Sequence, residues 1–179
     1  MLTESNIHKI SPHYTIDDYK SGRVTDIEVF IDQMKGWSLE HARILAYYGN
    51  EHCGFVVLQI LFSYFETIEQ YIKGERSNGE SERFFIDGFK NVFPEADDKI
   101  AKIFYKEGRC GLFHENMVRP KIFLRDGNYK YSYDEKLDRV YIDRRKFTDA
   151  VIEHFDNYAK ELENKNSIEY KNFQKFISG

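Results

Sequence analysis

The most apolar stretch of the chain runs from Cys53 to Phe65 and is interrupted by the amide of Gln59. Its 13 residues fall short of the roughly 20 that a membrane-spanning helix needs. A helical pattern extends beyond it, over about residues 51–72, with apolar side chains on nearly every side of the helix. Such a helix is buried from all directions. We therefore expect it to be the central helix of a bundle and not a membrane span.

The composition supports a helical bundle. Three prolines in 179 residues leave room for long uninterrupted helices, because proline breaks the helix interior. A hydrophobic content of 41% with 16% aromatic residues is typical of a packed globule and not of a disordered chain. The predicted fold class is an all-α bundle with a small β-hairpin inserted before its final helix, and the predicted organisation is a single domain over residues 1–179.

Helical periodicity and stop signals divide the remaining sequence. Residues 1–24 predict an irregular N-terminal arm, because Ser11-Pro12 and Ser21-Gly22 interrupt any regular pattern. Residues 167–179 predict a loose C-terminal tail. Further helices are expected at about residues 25–36, 38–50, 82–93, 96–114 and 144–164.

The sequence pattern changes from helical to strand-like at residues 119–143, which predicts the hairpin insert. Ile122–Leu124 and Tyr129–Tyr133 have strand character and flank Asp126-Gly127, a dipeptide typical of tight hairpin turns. Val140–Ile142 predicts a third short strand. Every second residue of a strand shares a face, so the tyrosines of the second strand lie together; packing on the bundle is the favoured role for them and base stacking the alternative.

The cysteines and the N-terminus indicate a cytoplasmic protein. Cys53 and Cys110 each lie among apolar residues, which favours two reduced, buried thiols over a disulfide. The segment from Met1 to Lys9 has no apolar core, so no signal peptide is predicted. A net charge of −4 speaks against a surface that is basic throughout, although a local basic patch could still bind nucleic acid.

The segment that suggests chemistry is Arg109-Cys110-Gly111-Leu112-Phe113-His114 near the end of a predicted helix. An arginine can neutralise a phosphate and a histidine can transfer a proton, which together suffice to cleave RNA without a metal. The same two side chains could instead be a structural polar pair. Five residues of ideal helix separate them by about 140°, so they converge only if the helix end loosens or if they come from two copies of the chain.

Two glycines flank the arginine within the predicted helix. Gly108 and Gly111 each cost about 1 kcal/mol relative to alanine in a helix interior, which indicates that another helix, a ligand or a second subunit approaches the backbone there. We expect Gly108, Gly111 and Cys110 to form a close-packing face, and we expect this face to be the contact of a homodimer.

The Arg109–His114 motif, with a helical bundle before it and a hairpin, Ile142-Asp143 and a closing helix after it, resembles the HEPN superfamily. That family is marked by an arginine followed after four to six residues by a histidine near the end of the third core helix. The Arg-Cys-Gly-Leu-x-His form is similar to one of its bacterial branches. The resemblance covers roughly residues 50–163, and the Arg–His core is its diagnostic part.

The resemblance implies a metal-independent endoribonuclease that acts as a dimer, often as a toxin or anti-phage effector. His114 would be the general base that removes the proton from a ribose 2′-OH, and Arg109 would hold the scissile phosphate. The products would be a 2′,3′-cyclic phosphate and a 5′-OH. Active members carry a polar residue after the arginine, where this chain has Cys110. The alternative is therefore a catalytically silent HEPN-like module that binds RNA, a nucleotide or a protein.

The remaining expectations concern ligands and partners. No ligand spacing supports a metal site, and no cofactor is expected. The expected partners are a second copy of the chain, an RNA substrate, and an antitoxin or another protein. A weaker prediction is a nucleic-acid-binding patch beside His114, and its candidate residues are Arg119, Lys121, Arg125, Arg144 and Arg145.

Overall fold

A computed structural model of the protein describes residues 8–179. The structure is mostly helical with a small three-stranded sheet, so the predicted dominance of helix is confirmed. Its contacts divide the chain into two compact units, Met1–His41 and Ala42–Gly179, where the sequence predicted one domain. Each unit is described by itself.

The first unit contains two capped helices in a region predicted to be partly irregular. α1 covers Ile16–Lys20 and α2 covers Asp26–Met34, followed by a π-helical turn at Lys35–Leu39. Thr15 and Thr25 each form a capping box, in which the threonine and an acidic residue three positions later satisfy each other's backbone N–H groups. The prediction of an irregular arm over residues 1–24 is therefore wrong for the part that α1 occupies, and residues 1–7 lie outside the described range.

The second unit is built around α4, Gly54–Lys73, as the apolar run predicts. A 3₁₀ turn at Glu51–Cys53 leads into α4, and Gly74 ends it in the left-handed conformation at φ 63°. Phe62 and Phe65 of α4 are fully buried and meet edge to face with rings from the other helices. This aromatic core confirms α4 as the centre of the unit. α3 covers Glu40–Tyr48.

The helix that carries Arg109 and His114 is continuous but irregular. α6 covers Asp98–Ile103, a π-helical turn covers Phe104–Arg109, and α7 covers Cys110–Glu115. Asp97 caps its start and Asn116 ends it in the left-handed conformation at φ 58°. The sequence predicts this helix but not its π-helical turn. α5 covers Ser81–Val92.

The sheet has a different topology from the one predicted. β1 is Ile122–Leu124, β2 is Tyr131–Asp134 and β3 is Arg139–Ile142, in the order β1-β3-β2. β1 pairs in parallel with β3, and β2 pairs antiparallel with β3. The hairpin therefore joins β2 to β3 and not β1 to β2.

The turn chemistry explains the difference. The Asp134 carboxylate accepts hydrogen bonds from two backbone N–H groups of the β2–β3 turn, and Asp138 adopts a left-handed φ of 52° there. Asp126-Gly127 forms no tight turn between paired strands, because β3 lies between β1 and β2 in the sheet. The Gly127 N–H donates instead to the carboxylate of Asp143, 2.7 Å away. The prediction of a hairpin around Asp126-Gly127 is therefore wrong.

Two helices follow the sheet. Asp143 caps α8, Arg144–Glu161, by accepting hydrogen bonds from two N–H groups of its first turn. α9, Ile168–Ser178, then packs on α4 through Phe173, whose ring stacks on Tyr71 at 5.6 Å. The prediction of a loose tail over residues 167–179 is wrong, because Phe173 anchors this segment in the core. Within residues 8–179, the helices are all too short or too polar to cross a membrane.

Candidate active site

The motif helix changes its hydrogen-bond pattern directly before the motif. The N–H of Cys110 donates to the carbonyl of Tyr105, five residues earlier, which closes the π-helical turn. Single π-helical turns inside α-helices occur frequently at functional sites. Here the turn ends at Arg109, and regular α-helix resumes at Cys110 and continues through His114.

Arg109 is held in place by a carboxylate of the central helix. Its Nη2 donates to Oε2 of Glu66 at 3.2 Å, and both side chains are about four-fifths buried, with 21% and 18% of their surface exposed. The guanidinium also lies 5.0 Å from the ring centre of Phe113 and 5.8 Å from that of Tyr105. These contacts restrict the direction in which the remaining N–H groups of Arg109 point.

Glu66 is anchored in turn by the loop between α4 and α5 and by the first residue of α5. Its Oε1 accepts hydrogen bonds from the hydroxyl of Ser77 at 3.0 Å and from that of Ser81 at 2.7 Å. The N–H of Ser77 donates to the side-chain carbonyl of Gln70, also on α4. The result is a partly buried polar network that joins α4, the loop and Arg109.

Sequence reasoning missed Glu66. The available signal was a charged residue in an otherwise apolar helix, but Glu69 gives the same signal three residues later. Glu69 has a structural role: its carboxylate is almost fully buried and contacts Lys73 at 3.1 Å and Asn91 at 2.6 Å. Burial raises the pKa of Glu69, against the opposing effect of Lys73. The sequence alone does not distinguish these two carboxylates.

His114 has the opposite environment from Arg109. His114 is exposed, and within residues 8–179 its side chain makes no hydrogen bond. The neighbouring Glu115 is engaged by Arg119, whose Nε donates to its carboxylate at 2.9 Å. That hydrogen bond is the main reason why the pKa of Glu115 is lowered, and the charge of His114 contributes least. Both ring nitrogens of His114 are thus available to a ligand.

The structure places Arg109 and His114 on one helix without joining them. No hydrogen bond between the two side chains occurs in the described part of the chain, since Arg109 turns to Glu66. The four residues between them are regular α-helix, and a spacing of five positions separates the side chains by about 140°. A ligand that touches both must therefore bridge them, or the two residues must come from different copies.

The glycines serve packing within the chain. Both are buried. A Cβ on Gly108 would overlap the ring of Phe62 and crowd Ile122 of β1, and one on Gly111 would overlap the carbonyl oxygen of Met117. The prediction that a second copy packs on Gly108 and Gly111 is therefore wrong, because side chains and backbone of the same chain already occupy that space.

Cys110 is partly buried and lies against Tyr105. Burial raises the pKa of the Tyr105 hydroxyl most and the neighbouring Cys110 thiol raises it further, whereas the charge of Arg109 lowers it. Cys110 therefore contacts the ring that flanks Arg109, next to the candidate site but not on the exposed surface of a dimer face.

The basic residues predicted as a patch are mostly engaged. Arg119 pairs with Glu115, and Lys121 pairs with Asp138. Arg144 donates to the carbonyl oxygens of Asn50 at 2.7 Å and Gly49 at 3.2 Å. The two others contact aromatic rings: Arg125 lies over Tyr141 and Arg145 near Tyr47.

Because of these contacts, the five predicted basic residues do not form one unpaired basic patch beside His114. Of the predicted hairpin tyrosines, Tyr131 packs inward. The hydroxyl of Tyr131 has its pKa raised to about 12, mainly by burial, and its ring meets Phe93 and Phe104 of the core.

Comparison with known proteins gives no match: no family model, no curated protein and no solved structure resembles this chain significantly. Within residues 8–179, no group of three or more histidine, cysteine or acidic side chains is arranged to hold a metal ion.

Proposed function

We propose that this protein is a metal-independent endoribonuclease of the HEPN type, in which His114 is the general base and Arg109 binds the scissile phosphate. The observation that carries the proposal is the contrast along one helix. Arg109 is oriented by Glu66, while His114 is exposed and has both ring nitrogens available. Proton transfer requires an accessible base, and phosphate binding gains from a pre-oriented guanidinium.

Glu66 acts in this proposal as a positioning residue. Arginine has five N–H donors in a planar fork, and the ion pair with Glu66 uses a donor on Nη2. The other donors can bind phosphate oxygens. A carboxylate beside the phosphate also has a cost, because it lowers the net positive charge that the phosphate meets.

The reaction proceeds by internal transfer. The Nε2 or Nδ1 of His114 accepts the proton of a ribose 2′-OH, and O2′ attacks the adjacent phosphorus. The bond from phosphorus to O5′ breaks, the leaving oxygen takes up a proton from water, and His114 afterwards returns its proton to the solvent. The products are a 2′,3′-cyclic phosphate and a 5′-OH, and Arg109 offsets the negative charge that grows on the phosphate oxygens.

The proposal includes a homodimer, which would let Arg109 of one copy and His114 of the other meet at one phosphate. Because the two motif glycines are buried, a contact between copies must use exposed side chains at this helix end. Phe113 and Met117, 44% and 56% exposed, are the candidates. An antitoxin or another protein partner would compete for the same surface. A toxin or anti-phage role and a cytoplasmic location belong to the proposal as well.

A second candidate is a catalytically silent module of the same type. The Arg109–Glu66 ion pair with its two serine hydroxyls favours it, because such a network also stabilises a fold without any catalysis. Cys110 in place of the usual polar residue favours it too.

The two candidates are separated by an RNA cleavage assay in EDTA. If the protein is a ribonuclease, we expect it to cleave single-stranded RNA into products with 2′,3′-cyclic phosphate ends. We expect no cleavage where the attacking nucleotide carries 2′-deoxyribose, since the 2′-OH nucleophile is then missing. An intact RNA after prolonged incubation, or cleavage that proceeds at a 2′-deoxy position, would refute the ribonuclease.

A further inference from the structure

The three-stranded sheet has one buried and one solvent-facing side. Val140 and Ile142 of β3 are fully buried and turn inward, as does Ile122 of β1. Because side chains alternate along a strand, Phe123 and Tyr141 must turn to the other side, and Phe123 is 36% exposed. The outward side of the sheet therefore carries aromatic side chains.

These two rings form a pair. Phe123 and Tyr141 are direct partners in the register of β1 and β3. Their ring centres are 5.7 Å apart, with planes inclined by 34°. These two tilted, neighbouring rings on the open side of the sheet give a continuous aromatic surface. We name Phe123, Tyr141 and the two arginines described next the sheet platform.

An arginine lies over each ring. The guanidinium of Arg125 is 4.4 Å from the ring centre of Tyr141, and that of Arg139 is 4.8 Å from the ring centre of Phe123. In the described part of the chain neither arginine forms an ion pair with a carboxylate, whereas Arg119 and Lys121 do. The sheet platform thus keeps two positive charges that are not neutralised by a contact.

One acidic side chain lies on the same side of the sheet. Asp134 is the direct partner of Arg139 in the register of β2 and β3, yet Arg139 turns to Phe123. The Asp134 carboxylate accepts hydrogen bonds from the N–H groups of Lys136 and Leu137. Its charge is the weakest of the influences that raise the pKa of Arg125; the hydrogen bond to the Tyr129 hydroxyl is the strongest.

We propose that the sheet platform binds single-stranded nucleic acid, with bases stacked on the rings of Phe123 and Tyr141 or on the guanidinium planes above them. Every base has a π face that stacks on aromatic rings and on arginine, and Arg125 and Arg139 also attract the phosphates between the bases. Both features of a single strand, flat bases and regularly spaced negative charge, find a complement here. That the bound strand is RNA rests on the proposed ribonuclease function.

The sheet platform is attached to the motif helix. On the buried side of β1, the side chain of Ile122 lies so near Gly108, next to Arg109, that a Cβ added to this glycine would crowd it. The N–H of Arg119 donates to the carbonyl of Glu107 at 2.8 Å and ties the start of the sheet segment to the π-helical turn. A strand bound on the outer side of the sheet is therefore held by the same unit that carries His114.

The test is fluorescence anisotropy with a short labelled single-stranded oligoribonucleotide in EDTA. The His114→Ala protein serves as background, so that the RNA stays intact. Phe123→Ala and Tyr141→Ala should each weaken binding by about tenfold, in line with the cost of losing one stacked base. Tyr141→Phe keeps the ring and should bind like the background protein. Tyr48→Ala removes a tyrosine that is 80% exposed outside the sheet, and it should leave affinity unchanged.

The charge of the sheet platform is tested by salt. Arg139→Ala should reduce the slope of log affinity against log salt by about 0.7, the value for one lost phosphate contact on a single strand. Lys171→Ala removes an exposed charge on α9 and should leave the slope unchanged. Melting curves of all variants confirm that each is folded at the assay temperature.

Three results would overturn the sheet platform: no binding by the background protein, equal affinities of Phe123→Ala, Tyr141→Ala and Tyr48→Ala, or equal affinity for the same RNA as a duplex, whose bases are already stacked. The proposed ribonuclease is judged separately by cleavage with the wild type. Ring-dependent binding without cleavage would support the platform and refute the ribonuclease. Cleavage without any effect of the rings on binding would support the ribonuclease and refute the platform.

Discussion

His154 and His114 both lie on helices of the second unit, and their surroundings differ in the way that separates a structural histidine from one proposed to be reactive. The Nδ1 of His154 on α8 shares a hydrogen bond of 2.7 Å with the hydroxyl of Tyr64 on α4, and the two rings meet edge to face. Tyr64 is 2% exposed. Burial lowers the pKa of His154. His154 thus satisfies a buried hydroxyl, whereas His114 has no such role to fulfil and remains open to solvent.

Arg109 stands between these two cases, because it is anchored by Glu66 and also proposed to bind phosphate. Arg109→Ala should lower the cleavage rate by about two orders of magnitude or more, as expected when a group that stabilises transition-state charge is lost. It should also lower the free energy of unfolding by about 1 kcal/mol, since Glu66 loses a partly screened partner. Cleavage assays and chemical denaturation of the same preparation measure both effects.

Arg109→Lys is the matched control, because lysine keeps the charge but not the planar fork. We expect it to restore most of the stability and little of the activity. A variant that regains full activity would show that charge alone suffices, and that the orientation given by Glu66 is irrelevant.

His154→Ala should affect stability and not chemistry. The Tyr64 hydroxyl would be left buried without this partner, which costs about 1–3 kcal/mol. The cleavage rate per folded molecule should stay unchanged. Urea denaturation followed by circular dichroism measures the loss, and His154→Gln, which retains a hydrogen-bond acceptor, should recover part of it. If His154→Ala were as stable as wild type, His154 would have no structural role.

The pH dependence gives a smaller effect with a definite sign. Because the pKa of His154 is lowered in the folded state, the unfolded chain binds more protons in the window below its ordinary value of 6.5. The stability present above that value is therefore lost as the pH falls through the folded pKa. The difference in unfolding free energy between wild type and His154→Gln should shrink by about 1 kcal/mol or less from pH 7.5 to pH 5.5. A difference that stays constant or grows on acidification would contradict the structural role.

The smallest expected effect concerns Cys110. Its thiol is close enough to raise the pKa of the Tyr105 hydroxyl beside Arg109, and Cys110→Asn would place a stronger hydrogen-bonding group there. We expect a rise of a few-fold in the cleavage rate and a change in stability of about 1 kcal/mol or less. Cys110→Ala, which adds no polar group, should leave the rate unchanged. If Cys110→Asn lowered the stability without raising the cleavage rate, the role of Cys110 would be packing.

The sequence predicts elements whose pattern is local. The apolar periodicity places the central helix, and the Asp143 cap places the start of α8 correctly. The sequence does not predict pairings between distant segments. Asp126-Gly127 has turn chemistry, but the parallel pairing of β1 with β3 requires a connection that no local pattern reveals. Phe173 likewise orders α9 through a contact with Tyr71, about a hundred residues earlier.

The candidate site is predictable to the same extent. The resemblance to a known motif identifies Arg109 and His114 from six consecutive residues. Their surroundings depend on long-range contacts: Glu66 lies 43 residues before Arg109, and the space at Gly108 is filled by Phe62 of α4. A glycine in a helix indicates a close approach, but it does not indicate whether the approaching group belongs to the same chain or to a second copy.

In the proposed mechanism His114 supplies the catalytic base, whereas His154 supplies stability. The two roles are separated by the rate of RNA cleavage in EDTA for wild type, His114→Ala and His154→Gln, with melting temperatures of all three. We expect a loss of about two orders of magnitude or more for His114→Ala at unchanged melting temperature, and a rate close to wild type for His154→Gln. Equal cleavage by wild type and His114→Ala, or cleavage that appears only when a metal is added, would contradict it.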